Sequence, residues 1–112
     1  MRLFNLPIVL SLLFVMFATI ARAEAKPTLT TWYATCRHGP MCVASWEYPI
    51  GTHLSLFNSV TGGRAIGIVL DRGPDPRTGR NRKLDVSLQI AAQLGMIRVG
   101  VATIEVEVIG RM

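Results

Sequence analysis

The chain has 112 residues, enough for one domain of ordinary size and no more, and its 12 basic and 7 acidic residues give a formal charge of +5. Half of the residues are hydrophobic, but much of that content lies in one N-terminal run and describes that segment rather than a folded core. A metal site needs more ligands than Cys36, Cys42 and His38 can offer, so no metal is expected.

Arg2 opens a run from Leu6 to Ile20 that is almost wholly apolar. Ala21-Arg22-Ala23 then gives the small-x-small pattern read by signal peptidase, and Ala23-Glu24-Ala25 gives it again. The run is short for ~30 Å of hydrocarbon. Residues 1–23 are therefore expected to be a signal peptide, with cleavage after Ala23 or Ala25. No cysteine follows the run directly, so neither lipid attachment nor a stable membrane anchor after cleavage is expected. Without residues 1–23 the chain keeps ten basic and seven acidic residues, a formal +3, in 89 residues: one small domain of marginal core size, expected as a monomer.

Cys36 and Cys42 suit an exported protein in an oxidising compartment, periplasmic or extracellular. Five residues, among them Gly39-Pro40, separate them. A bridge closing so short a loop would contribute roughly 2–3 kcal/mol in the chain-entropy account. Export argues against nucleic acid as a partner and for a polyanionic envelope polymer or a lipid surface.

Residues 24–28 read as a polar leader without a packing signal. Leu29 to Thr35 is rich in β-branched and aromatic residues and predicts the first strand. After the cysteine loop, Val43 to Trp46 predicts a short strand and Glu47-Tyr-Pro-Ile-Gly51 a turn. Thr52 to Asn58 alternates and predicts a strand, with Ser59 to Gly63 a hairpin-type connection.

Ile66-Gly-Ile-Val-Leu-Asp71 is the most informative stretch: an alternating apolar strand that stops at an acid and is broken by Gly73-Pro74. Alternation places Asp71 at the strand end, facing away from the side that carries Ile68 and Leu70. A carboxylate fixed on a rigid element is well placed for chemistry. It is equally well placed to accept hydrogen bonds from the next turn.

Asp75 to Lys83 is a basic loop with Arg77, Arg80, Arg82 and Lys83. It reads as a solvated face, or as an attractor for carboxylates or anionic lipid. Leu84-Asp-Val86 is extended. Ser87 then reads as the N-cap of a two-turn helix ending at Gly95, with Ile90, Ala91 and Leu94 as its apolar stripe. Val101 to Ile109 alternates, with Ala102, Ile104, Val106 and Val108 on one face and Thr103, Glu105 and Glu107 on the other. Several short strands and one short helix argue for a small β-barrel or sandwich.

The landmarks Trp32-Tyr33, Tyr48-Pro-Ile-Gly-Thr52, Asn58 with Gly62-Gly63-Arg64, Asp71-Arg-Gly-Pro74, Gly79-Arg80, Leu84-Asp-Val-Ser87, Ala91-Ala92 with Leu94-Gly-Met96, and Gly100-Val-Ala102 follow one another in an order that resembles the RlpA-like (rare lipoprotein A) domain. The resemblance spans about residues 30–109. It implies a mostly β fold, a six-stranded double-psi β-barrel with one short α-helix, over residues 29–110.

It also implies peptidoglycan glycan strands as the partner and lytic transglycosylase chemistry. In that reaction one carboxyl protonates the leaving glycosidic oxygen. It then takes the proton of the sugar's own C6 hydroxyl, so that a second carboxylate is not required. No cofactor is needed. The Asp of the Asp-Arg-Gly-Pro motif belongs to the family's active site, which makes Asp71 the candidate acid/base.

The chain departs from the family in two places. The family's Gly-Glu upstream has no counterpart, and Ser45 stands where the family's Thr-Ala-Ala-His carries its His. His38 and Glu47 are nearby substitutes by sequence, although a loop His is ordinarily only solvated. The departures favour an alternative: a catalytically inactive barrel that binds glycan or an envelope partner. Tyr33, Trp46, Arg72 and Asp85 are the candidate substrate-binding residues. For Tyr33 and Trp46 the competing role is core packing, to which Trp32 is assigned. For Asp85 it is service to the following helix. Alternation is expected to turn Arg72 away from Asp71.

Overall fold

The computed structural model describes residues 24–77 and 83–111. The expected signal peptide, residues 1–23, and Arg80 and Arg82 of the basic loop lie outside the described residues.

Six strands and one helix follow in order: β1 Lys26–Tyr33, β2 Cys42–Ser45, β3 Thr52–Phe57, β4 Arg64–Asp71, β5 Leu84–Ser87, α1 Leu88–Gln93 and β6 Val101–Arg111. They close into a barrel in the order β1-β5-β2-β4-β3-β6. Two of the pairings, β1 with β5 and β2 with β4, are parallel, and the other four are antiparallel. Closure gives every strand a neighbour on each side through the body of the barrel, which leaves little open ladder to protect.

β1 begins at Lys26, inside the segment read as a polar leader. Lys26, Pro27 and Thr28 pair with Val106, Glu105 and Ile104 of β6, and Thr28 is buried. A long partner strand extends the ladder beyond the point where side-chain hydrophobicity alone would start it.

The barrel interior is filled by Val43, Leu54, Leu56, Val69, Leu84, Val86, Ile104 and Val106, with Ile90, Ala91, Leu94 and Met96 from α1 and the turn after it. Each such aliphatic side chain contributes about 1.5–3 kcal/mol by leaving water. In β4 the inward face is Ala65, Gly67 and Val69, while Ile66 looks outward. The small inward residues follow from crowding. A Cβ on Gly67 would lie 2.4 Å from Val43 Cγ2 and 3.3 Å from Ile90 Cδ1.

The helix forms where expected. Ser87 caps it, its Oγ accepting from Ile90 N at 3.3 Å, and Gly95 at φ +66° turns the chain out of it. Ser87 Oγ also donates to Pro40 O at 2.5 Å, which ties the cysteine loop to the helix start. At the other end the Leu94 carbonyl accepts from Asn58 Nδ2 and from Thr61 Oγ1, both at 2.8 Å, and locks the β3–β4 hairpin against the helix C-terminus.

β6 keeps its expected alternation only in part. Ile104 and Val106 are buried, but Val108 is exposed. Pairing with β1 ends at Val106, and the register with β3 slips between His53 and Leu54, so the last residues of β6 have one neighbouring strand and no interior to fill.

Candidate functional site

The short strand β2 is the axis of the site. It pairs with β5 on one side and β4 on the other, and Ala44 stands opposite Asp85 in the first ladder and opposite Asp71 in the second. Thr31 of β1 is in turn opposite Asp85. Thr31, Asp85, Ala44 and Asp71 therefore form one row across four strands. Val43 and Val86, the neighbouring pair, point into the core, so this row is on the outer face. Two strand spacings of about 4.8 Å put the backbones of the two acids roughly 10 Å apart.

Plain alternation would have turned Asp71 to the interior side, with Val69 and away from Ile68. A β-bulge corrects this. Cys42 pairs with Ile68 and Val43 with Val69, but Ala44 pairs with Asp71, so Leu70 is an extra residue in β4. The bulge brings Asp71 round to the face shared by Ile68, Ala44 and Asp85, and the expected facing of Asp71 is overturned.

Asp71 Oδ1 accepts from Arg72 N at 2.8 Å, the turn-stabilising bond that a short acid at a strand end makes. Thr31 Oγ1 donates to Asp85 Oδ1 at 3.1 Å. Tyr33, two residues beyond Thr31 on the same face, is half-buried. Its hydroxyl lies 3.0 Å from Cys42 Sγ. Burial first, then the negative charges of Asp71 and Asp85 and a hydrogen-bonding interaction with Asp71, push the phenol up to about 12.

Cys36 and Cys42 are joined by the expected disulfide, so the site's edge is covalently closed. Neither cysteine is free.

Trp46 is 61% exposed, and its indole Nε1 donates to Pro74 O at 3.0 Å. The ring is thus fixed beside the Asp-Arg-Gly-Pro turn and is not core. Trp32 does pack against the core. Arg72 Nη1 donates to Ser45 O at 2.9 Å and to Tyr48 O at 2.8 Å. The cation next to Asp71 in sequence is thereby spent on strapping the β2–β3 turn. Ser45 is fully buried, and its Oγ accepts from Glu47 N and Tyr48 N at 3.0 Å each, so it organises that same turn. Glu47 pairs with Lys26 at 2.5 Å, and His38 is on the exposed tip of the cysteine loop. Of the basic loop, Arg77 is held by Asp75, whose carboxyl it lowers below the usual range.

The structure therefore brings Asp71, Asp85 and Tyr33 together, sets Trp46 at the neighbouring turn, and directs Arg72 to the backbone. Sequence reasoning missed Thr31 and the Cys42 sulfur. Thr31 was legible in principle, since it shares a face with Tyr33 by period two and sits on the predicted first strand.

No protein-family model matches the chain. Two curated proteins, each named "Probable endolytic peptidoglycan transglycosylase RlpA", are similar to it. One, from Nostoc sp., is 38% identical over 71 residues, 63% of this chain and 18% of its own length. The other, from Aquifex aeolicus, is 44% identical over 61 residues, 54% of this chain and 26% of its own length. The chain thus spans about a fifth to a quarter of the relatives it matches. These matches and the closed six-stranded barrel fit a short member of the RlpA-like family.

Proposed function

We propose that the barrel acts on peptidoglycan glycan strands as a lytic transglycosylase, with Asp71 as the acid/base and with Asp85, Tyr33, Trp46 and Arg72 around the substrate. The observation that carries this reading is the row in which Asp71 and Asp85 flank Ala44 on the outer face, beside an exposed, anchored Trp46. In the reaction, Asp71 in its acid form gives its proton to the glycosidic oxygen as the C1–O bond breaks. The resulting carboxylate takes the proton of the C6 hydroxyl as that oxygen closes on C1, which leaves a 1,6-anhydro end and returns the acid. Trp46 offers an apolar ring to a sugar face, and Arg72 contributes by holding the turn that presents Trp46. The names of the two relatives support the substrate class, and the disulfide is in keeping with an exported protein, periplasmic or extracellular.

Ser45 favours a second reading. The residue at the family's His position is buried and bonded to two backbone amides, so it has no part in proton transfer. That suits a barrel that binds glycan without cutting it. Mass spectrometry of sacculi incubated with the protein separates the two. Anhydro-muramyl products from the wild type, falling at least a hundredfold in Asp71→Asn, are expected for an enzyme that depends on one acid/base group. Co-sedimentation with sacculi and no product from either protein refutes the enzyme and leaves the binder.

A further inference from the structure

Tyr33 is in register with Ser87 of β5, and its ring extends from β1 toward the strands that carry the two acids. Its hydroxyl ends 3.0 Å from Cys42 Sγ. That sulfur is in a disulfide and has no hydrogen, so the phenol is the donor. Cys42 lies two residues before Ala44 on the same face of β2, and Ala44 is the residue that Asp71 and Asp85 flank. The hydroxyl thus sits over the central strand of the row, with an acid on the strand to either side. A sugar platform presents its ring to solvent, as Trp46 does. Tyr33 is half-buried, with its polar end turned to the sulfur.

We propose that Tyr33 is a positioning residue: its hydroxyl, seated on the Cys42 disulfide sulfur, stands between the Asp71 and Asp85 carboxylates and sets the direction of the Asp71 carboxyl. The assignment rests on the reading of Asp71 as acid/base. A disulfide sulfur is a weak acceptor, so it locates the oxygen without competing strongly for the proton, and a carboxylate is the better partner. Burial, and after it the two negative charges, keep the phenol neutral far into the alkaline range. It is therefore a donor to the carboxylate form of Asp71 and an acceptor for the acid form, and it suits both halves of the cycle. No bond is made or broken at Tyr33.

The protein has two tyrosines, Tyr33 and Tyr48, so a Tyr48→Phe background isolates the phenol. Ultraviolet absorbance after a pH jump, read before unfolding, gives its titration. The expected midpoint is about 12 in that background, moving down in Asp71→Asn and in Asp85→Asn but only part of the way, because the burial that contributes most is unchanged. A midpoint that moves in neither variant overturns the placement of the hydroxyl between the acids. A midpoint that moves while the wild type yields no anhydro-muramyl product supports the placement and refutes the transglycosylase, so the two failures are distinct. In an active enzyme, Tyr33→Phe, which keeps the ring, is expected to lower kcat about tenfold at constant KM, as loss of orientation does. A raised KM at unchanged kcat makes Tyr33 a sugar contact and overturns the proposal.

Discussion

Gly67 tests whether the barrel is packed as tightly as its inward face implies. In Gly67→Ala the new methyl would stand 2.4 Å from Val43 Cγ2, with Ile90 Cδ1 at 3.3 Å and Leu56 Cδ1 at 3.4 Å closing the other directions. About 1 Å of movement must come from Val43, which is fully buried on β2, a strand of only 4 residues paired on both sides. Overpacking of this kind costs about 2 kcal/mol. Val43→Ala alone removes two buried methyl-sized groups and leaves a cavity, also about 2 kcal/mol. The atom lost in the second change is the one that obstructs the first. The double variant is therefore expected to be destabilised by about 2 kcal/mol rather than the additive ~4, a coupling near 2 kcal/mol between residues in contact. Urea unfolding of the oxidised protein measures it, provided the m-value is constant across the cycle. Thermal midpoints follow at about 4–8 °C per kcal/mol for a domain of this size. Additivity within about 0.5 kcal/mol refutes the argument and means that Gly67 is not dictated by Val43.

Ser87→Ala removes both the helix cap and the bond to Pro40 O. It is expected to cost about 2 kcal/mol, read as a lower urea midpoint, whereas Ser87→Thr retains most of the stability. Tyr33 is raised from 10.0 to about 12 in the folded protein, so its contribution is complete below pH 10 and lost as the pH rises to about 12. Urea midpoints should fall across that window, and Tyr33→Phe should flatten part of the fall. An equal fall in the variant assigns the loss to other groups.

What could be read from the residues was what is decided locally or by simple period. Ser87 and Gly95 mark the helix because a cap needs only its own turn. The bridge between Cys36 and Cys42 needed only a short loop. The strands were recognisable by alternation, to within a few residues at their ends. The errors arose where a neighbouring strand decides. Lys26 to Thr28 are strand because β6 is there to pair with them, and Val108 is exposed because β1 has ended. Asp71 changes face because β2 and β4 meet out of step at Leu70, a mismatch between two segments that neither carries alone. The site suffered in the same way. Asp71 stood out as an acid at a strand end, but its relation to Asp85 is set by Ala44 on the strand between them. Arg72 carries no sequence sign that its charge is committed to two carbonyls of another turn.

The disulfide has a consequence for how the chain responds to proteolysis. Arg37 is exposed at the start of the loop between the two cysteines, and Cys36 and Cys42 lie on opposite sides of it. A cut after Arg37 divides the polypeptide in two, yet the pieces share a sulfur–sulfur bond, and β1 remains laced to β5 and β6 on either side. A trypsin-nicked molecule should therefore migrate as a single species without reductant and as two fragments with it. The barrel can lose the continuity of its backbone here without losing its connectedness.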